Sequence, residues 1–128
     1  IECGYSQASL QERIYAREAT DAGEAMAGVL LYTAASDSDG TLGGLVALGR
    51  PAALEGLLSQ ALERSRLCSA DPLCAEHVPH ETEDSLHNAA CHAWLFVPET
   101  TCERGNRYLD RSVLVKTLGS TLAPFFDR

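Results

Sequence analysis

The stretch Cys68-Ser-Ala-Asp-Pro-Leu-Cys74 organises this 128-residue chain, because it places two thiols on either side of a loop that contains a proline. Two more thiols, Cys91 and Cys102, follow soon after it. In a reducing compartment, clustered thiols usually hold a structural metal rather than form disulfides. The cluster therefore predicts a metal site, although the spacing alone is equally compatible with buried free thiols that pack as small hydrophobic groups.

Zinc suits such a cluster best, because thiolate sulfur is a preferred donor in its tetrahedral structural sites. Imidazole nitrogen also binds zinc, so a nearby histidine can replace a thiol. The candidate donors are Cys68, Cys74, Cys91, Cys102, His77, His80, His87 and His92. The chain has five cysteines. The odd number argues against a disulfide-bonded secreted domain, which would leave one thiol unpaired. We expect Cys3 to be a bystander.

The charge of the chain is uneven along its length. The net charge is −8, which argues against an autonomous nucleic-acid binder. Residues 103–128, however, carry 5 basic and 3 acidic side chains. Arg104, Arg107 and Arg111 are therefore candidates for contact with a phosphate strand, and a solvated helix face explains them equally well. No apolar run approaches the roughly 20 residues that cross a bilayer, so we expect no membrane contact.

Hydrophobic periodicity predicts a small α+β domain that is dominated by helices and has a short sheet around residues 27–34. Helices are expected at 6–19, 51–67, 84–94 and 109–123. The run at 27–34 is continuously apolar, as strands covered on both faces are. We expect its partner strand either near residues 96–97 or in chain upstream of Ile1. The absence of an initiator methionine predicts that the chain is part of a longer protein.

The expected organisation is a single domain over residues 1–128. Its four parts are an N-terminal helix and turn (1–25), a strand, Gly-rich loop and helix (26–67), a Cys-rich region (68–111) and a C-terminal helix (112–128).

Several motifs in this order carry a resemblance to a known family. Among them are the two cysteines of the Cys68–Cys74 loop, Glu99-Thr-Thr-Cys102 and Gly105-Asn-Arg-Tyr-Leu-Asp-Arg111. Over roughly residues 9–118 the chain resembles the MrfA-type zinc-binding (MZB) domain family. Within that family, it is similar to the helicase-associated subunits of the DISARM anti-phage systems.

This resemblance implies a zinc ion held by four cysteines and no catalytic residues in the domain. It also implies a cytoplasmic role beside a superfamily-two helicase subunit, with DNA engaged through the complex. The predicted ligands are Cys68, Cys74, Cys91 and Cys102. Members of the family usually read Cys-x-x-Cys where this chain has Cys91-His-Ala-Trp94, and Trp cannot bind zinc. Three alternatives follow: Cys68 and Cys74 both bind, His92 is a substitute ligand, or the site has degenerated and is empty. The four cysteines are the favoured ligand set.

Two functions from different classes follow. The first is a structural, zinc-stapled interaction module of an anti-phage defence protein, because zinc binding supplies folding free energy in small domains. The second is a zinc-dependent hydrolase acting on nucleic acid or nucleotide, because losing one thiol would leave a coordination position open for water. The chain has no GxxxxGK[ST] phosphate loop, so nucleotide hydrolysis driven by such a loop would belong to a partner.

Overall fold

A computed structural model describes residues 9–21, 23–33, 44–82, 84–99 and 101–126. Its regular elements are strands β1 (Leu10–Arg17) and β2 (Met26–Thr33), helices α1 (Gly44–Leu48) and α2 (Pro51–Ser65), and a 3-10 helix at Arg111–Val113. The fold is a small mixed α+β arrangement in which turns make up much of the described chain after residue 66. The expectation that helices dominate is therefore not supported.

Strands β1 and β2 form an antiparallel hairpin, with register from Leu10 opposite Thr33 to Arg17 opposite Met26. The predicted strand at 27–34 is confirmed with a shift of one residue, but the helix predicted at 6–19 is wrong where the structure describes it. Its Leu10 and Ile14 are four residues apart, a spacing that places them on one side of either a helix or a strand. Pairing with β2 resolves the ambiguity, since it satisfies backbone groups along β1.

Among the described residues, the sheet partner of β2 is β1, and residues 96–97 form no strand. The expectation that β2 is covered on both faces is also wrong among the described residues. Val29 is 66% exposed and Leu31 52% exposed, so apolar side chains on β2 face solvent.

The outer edge of β1 contacts the Cys-rich region. The Glu12 N–H donates to the Thr101 carbonyl at 3.1 Å, and the Ile14 N–H donates to Oε2 of Glu103 at 3.3 Å. In return, Oε1 of Glu12 accepts the Glu103 N–H at 2.9 Å. These bonds join the hairpin to residues 101–103 through backbone groups that are otherwise unpaired at a sheet edge.

Helix α2 begins at Pro51 as predicted, with the proline in the first turn. It ends at Ser65, and the Ser65 hydroxyl donates to the Ala61 carbonyl at 2.7 Å. Among the described elements, its main contact is with α1. Leu58 is 53% exposed on the apolar side of the helix. The helix brings Cys68 into place two residues after Arg66, the residue that closes its last turn.

The helices predicted at 84–94 and 109–123 are both wrong in the described chain, apart from the 3-10 turn at Arg111–Val113. Long-range hydrogen bonds replace helical ones. The Leu86 N–H donates to the Arg107 carbonyl at 2.8 Å, and the Asn88 N–H donates to the Leu109 carbonyl at 3.0 Å. Residues 86–89 therefore lie beside residues 107–111. These segments have the apolar spacing of helices, but the structure folds them into turns and extended chain.

Most buried residues of the described chain lie between residues 65 and 117. The most deeply buried include Cys74, Ala89, Ala90, Arg111 and Val115. Cys3 and the Gly-rich loop at 34–43 lie outside the described residues. Neither helix in the described ranges has the length and apolar composition needed to cross a membrane. The core of the described chain is therefore small and includes two predicted metal ligands, Cys68 and Cys74.

Candidate metal centre

Three cysteine side chains converge at one point. The Sγ atoms of Cys68, Cys74 and Cys91 all lie within 4.8 Å of one another, and those of Cys68 and Cys91 are 3.6 Å apart. In a tetrahedral zinc site with Zn–S bonds of roughly 2.3 Å, the sulfurs lie about 3.8 Å apart. The spacing and the donor chemistry therefore fit a zinc ion, and these three residues would hold it.

The loop from Cys68 to Cys74 is shaped by the side chain of Asp71. Oδ2 of Asp71 accepts the Cys68 N–H at 2.8 Å, and the Asp71 N–H donates to the Cys68 carbonyl at 3.0 Å. The Cys74 N–H then donates to the Ala70 carbonyl at 3.0 Å. These local bonds close two overlapping turns, which bring sulfurs six positions apart in sequence to the same point.

Cys91 sits in a tight turn with Trp94. The Cys91 N–H donates to the Trp94 carbonyl at 3.1 Å, and the Trp94 N–H donates to the Cys91 carbonyl at 3.0 Å. Leu95, the next residue, has a φ of +74°. Nε1 of Trp94 is buried and has no hydrogen-bond partner among the described residues. Position 94, where the resemblance implied a cysteine, therefore carries a tryptophan whose indole N–H has no acceptor among the described residues.

Arg111 connects the parts that carry the thiols. Its guanidinium is fully buried, with Nη1 donating to the Ser65 carbonyl at 2.9 Å and Nη2 paired with Oδ1 of Asp71. Its backbone N–H donates to the Ala89 carbonyl at 3.3 Å, two residues before Cys91. Arg111 therefore contacts the end of α2, the first cysteine loop and the approach to Cys91.

The protonation of the thiols differs. Burial raises the pKa of Cys74 from 9.0 to about 12, and hydrogen bonds with Cys91 and Cys68 act in the same direction. Burial also acts to raise the pKa of Cys91, but hydrogen bonds from Cys68 and Cys74 and from the backbone of Ala93 and Trp94 lower it below its ordinary value. Cys91 therefore ionises before Cys74, and its thiolate is stabilised by the neighbouring thiols.

The structure brings together three of the four predicted ligands and leaves out Cys102. That residue lies in a separate turn, where its N–H approaches the Pro98 carbonyl at 3.4 Å and its carbonyl accepts the Gly105 N–H at 3.0 Å. The predicted substitute, His92, is exposed, and its ring lies nearly perpendicular to that of Phe96 with the ring centroids 4.8 Å apart. Neither side chain belongs to the group of sulfurs that the described residues form.

The three arginines have different environments. Arg111 is 0% exposed, so the prediction that it contacts nucleic acid is wrong; burial and its pairing with Asp71 keep it from any phosphate. Arg104 and Arg107 are exposed. The Arg107 guanidinium donates to the Asp84 carbonyl, with Nε at 2.8 Å.

Sequence reasoning missed the role of Asp71 and Arg111. Asp71 and Arg111 pair although they lie 40 positions apart in the chain. Nothing in the sequence around either residue indicates this pairing. The signal available from sequence was Asp71 itself, because a short acidic side chain between two cysteines is well suited to accept backbone N–H groups in a turn.

Comparison with known proteins agrees with this geometry. A family model described as the MrfA Zn-binding domain (MZB) matches residues 1–94, a range that contains all three grouped cysteines. The chain is also 48% identical over 126 residues to the DISARM protein DrmB of Bacillus paralicheniformis. That match covers 98% of this chain and 21% of the relative, so the chain spans about a fifth of that protein's length. On these grounds, this chain belongs to the MrfA Zn-binding domain family.

Proposed function

We propose that this chain is a zinc-stapled structural and interaction module of a helicase-associated anti-phage defence protein, with no catalysis of its own. The observation that carries the proposal is the group of three thiols within 4.8 Å of one another in a domain whose other buried residues are few. Zinc bound there would join the end of α2, the first cysteine loop and the Cys91 turn. It would thus supply folding free energy that the small core lacks.

The thiol chemistry favours a structural role over the hydrolase. Catalytic zinc sites keep a position open for water and usually include imidazole or carboxylate ligands, whereas sites rich in cysteine are typically structural. Cys68, Cys74 and Cys91 would hold the metal, which would cross-link the segments that carry them.

The proposed partners are a superfamily-two helicase subunit and, through the complex, DNA in the cytoplasm. The similarity to a DISARM protein supports this assignment. Exposed apolar side chains on the hairpin, such as Ile14 at 62% and Val29 at 66%, support an interaction role, because such surface is usually covered by a partner. The exposed Arg104 and Arg107 would be the residues that approach a phosphate strand.

The first experiment is elemental analysis of the purified chain and of two variants, Cys91→Ser and Cys102→Ser. We expect about one zinc per chain in the parent, following the single tetrahedral site described above. Cys91→Ser should lose it, and Cys102→Ser should keep it because Cys102 lies outside the group. A well-folded parent without metal would contradict the proposal.

The partner assignment has its own test. Gel filtration of the zinc-loaded chain mixed with a superfamily-two helicase subunit should show a complex that Cys91→Ser fails to form. For DNA, an Arg104→Glu/Arg107→Glu double variant of the complex should bind more weakly and with a smaller dependence on salt. The matched control is Arg50→Glu at the start of α2, which should leave DNA binding unchanged.

A further inference from the structure

The three grouped sulfurs would supply three ligands, and zinc in a structural site takes four. Residue 94 is the natural source of the fourth. Cys91 and Trp94 are paired across an antiparallel bridge, and side chains at directly opposed positions of such a bridge project to the same side. Trp94 offers no ligand atom, so a fourth protein donor would have to come from elsewhere.

A cavity of about 410 Å³ adjoins the sulfurs. Its walls include Cys74, Cys91 and three imidazole rings, those of His77, His87 and His92. Imidazole is the most common nitrogen donor to zinc in proteins. The cavity therefore places an alternative class of ligand directly beside the thiol group.

The three rings differ in what their nitrogens contact. Nδ1 of His87 lies 3.3 Å from the Asn88 carbonyl, and His92 is exposed. Nε2 of His77 is buried and has no hydrogen-bond partner among the described residues. A buried polar atom without a partner is unfavourable and calls for an explanation such as an ion.

His77 is also tied to the thiol group by the chain itself. It lies three residues after Cys74, and its N–H reaches the Cys74 carbonyl at 3.5 Å. Its ring stacks on that of His87 with centroids 4.5 Å apart, and His87 in turn meets the edge of Phe96. The His77 ring is therefore packed against His87, and both residues line the cavity together with Cys74.

We propose that His77 supplies the fourth zinc ligand through Nε2, giving a site of three thiolates and one imidazole. The inference rests on the proposed function, since it requires the metal to be bound. In the described residues no imidazole nitrogen joins the group within 4.8 Å of all three sulfurs, so binding requires the His77 side chain to turn into the adjoining cavity. The imidazole would replace the ligand that position 94 lacks.

The test is X-ray absorption at the zinc edge, together with zinc affinity measured against a competing chelator. The parent should show three sulfur neighbours and one nitrogen neighbour. His77→Ala should lose the nitrogen neighbour and bind zinc at least about 10-fold more weakly. Mutating a residue that only supports a metal ligand already lowers metal affinity by about 10-fold to 100-fold. His92→Ala and Cys102→Ser are the matched controls and should match the parent in both measurements.

A rescue variant separates loss of a ligand from loss of folding. In the double variant His77→Ala/Trp94→Cys, a thiol at position 94 should restore the affinity and give four sulfur neighbours. The proposal is overturned if His77→Ala binds zinc as the parent does, or if the nitrogen neighbour disappears in His92→Ala instead. It is also overturned if the parent shows four sulfur neighbours that become three in Cys102→Ser. A parent without zinc refutes the proposed function itself, which is a different result from zinc bound without His77.

Discussion

Arg111 and Asp71 form a buried ion pair directly behind the candidate metal centre. The side chain of Arg111 is 0% exposed and that of Asp71 9% exposed, and the second carboxylate oxygen of Asp71 accepts the Cys68 N–H. Asp71 thus binds the Arg111 guanidinium through one carboxylate oxygen and the backbone of the ligand Cys68 through the other. Because the guanidinium also binds the Ser65 carbonyl, the end of α2 and the cysteine loop are held by one residue.

Replacing Arg111 with methionine should destabilise the chain by about 3–5 kcal/mol, because Asp71 would be left as a buried charge without its partner. Urea unfolding of the zinc-loaded protein measures the change. Arg104→Met is the matched control, since that exposed arginine should cost less than about 0.5 kcal/mol. Adding Asp71→Asn to Arg111→Met should cost less than the sum of the two single changes. Strict additivity would show that the pair is not coupled.

Asn106 should be replaceable only at a measurable cost. Its Oδ1 accepts the Val97 N–H at 3.2 Å, its Nδ2 donates to the Val97 carbonyl at 2.7 Å, and its φ is +62°. Asn106→Gly should lose about 2 kcal/mol from the two hydrogen bonds. Asn106→Ala should lose a further ~1 kcal/mol, since alanine is strained in the left-handed region. Equal free energies of unfolding for the two variants would contradict the backbone part of this argument.

Glu103 should matter more than the arginine that it pairs with. Nε of Arg13 is 3.5 Å from Oε1 of Glu103, but the arginine side chain is 58% exposed, so Arg13→Ala should cost less than about 0.5 kcal/mol. Glu103→Ala also removes the acceptor for the Ile14 N–H and should cost about 1 kcal/mol more. Thermal unfolding of both variants in the same buffer provides the comparison. A larger loss for Arg13→Ala would reverse the ranking.

Cys74 should make the metal-free chain lose stability at alkaline pH, and the lowered pKa of Cys91 acts in the opposite direction. The pKa of Cys74 is raised from 9.0 to about 12 by burial, so the folded state keeps a proton that the unfolded state releases. The stabilisation is complete below the ordinary thiol pKa of 9.0 and is lost as the pH rises toward 12. Chemical unfolding in the presence of a chelator, at pH 8 and at roughly pH 10, measures the decline.

Cys74→Ala is the control for this pH dependence. The variant lacks the thiol, so its decline in stability between the two pH values should be smaller than that of the parent. Identical declines would assign the effect to other groups, such as lysine and tyrosine side chains that titrate in the same range.

Secondary-structure predictions were correct where contacts within one segment determine whether it forms a helix or a strand. Helix α2 was predictable because Pro51 and the apolar spacing after it act within one segment. Strand β2 was predictable from its apolar, strand-length run. Strand β1 was not, because Leu10 and Ile14 fit both a helix and a strand, and only pairing with β2 selects the strand.

The candidate site divides in the same way. Clustered cysteines have few roles in a reducing compartment, so the sequence alone predicted a metal site formed by Cys68, Cys74, Cys91 and Cys102. The structure groups the first three of them. The sequence also determined the family, through motifs whose order along the chain is specific.

Only the tertiary structure decided which side chains meet. Cys102 was expected at the metal and lies in a separate turn, whereas Arg111 was expected at the surface and is buried against Asp71. The physical reason is that the donor chemistry of a side chain is carried by its own atoms. Its neighbours, by contrast, are set by hydrogen bonds and packing between segments far apart in the chain, such as residues 86–89 and 107–111.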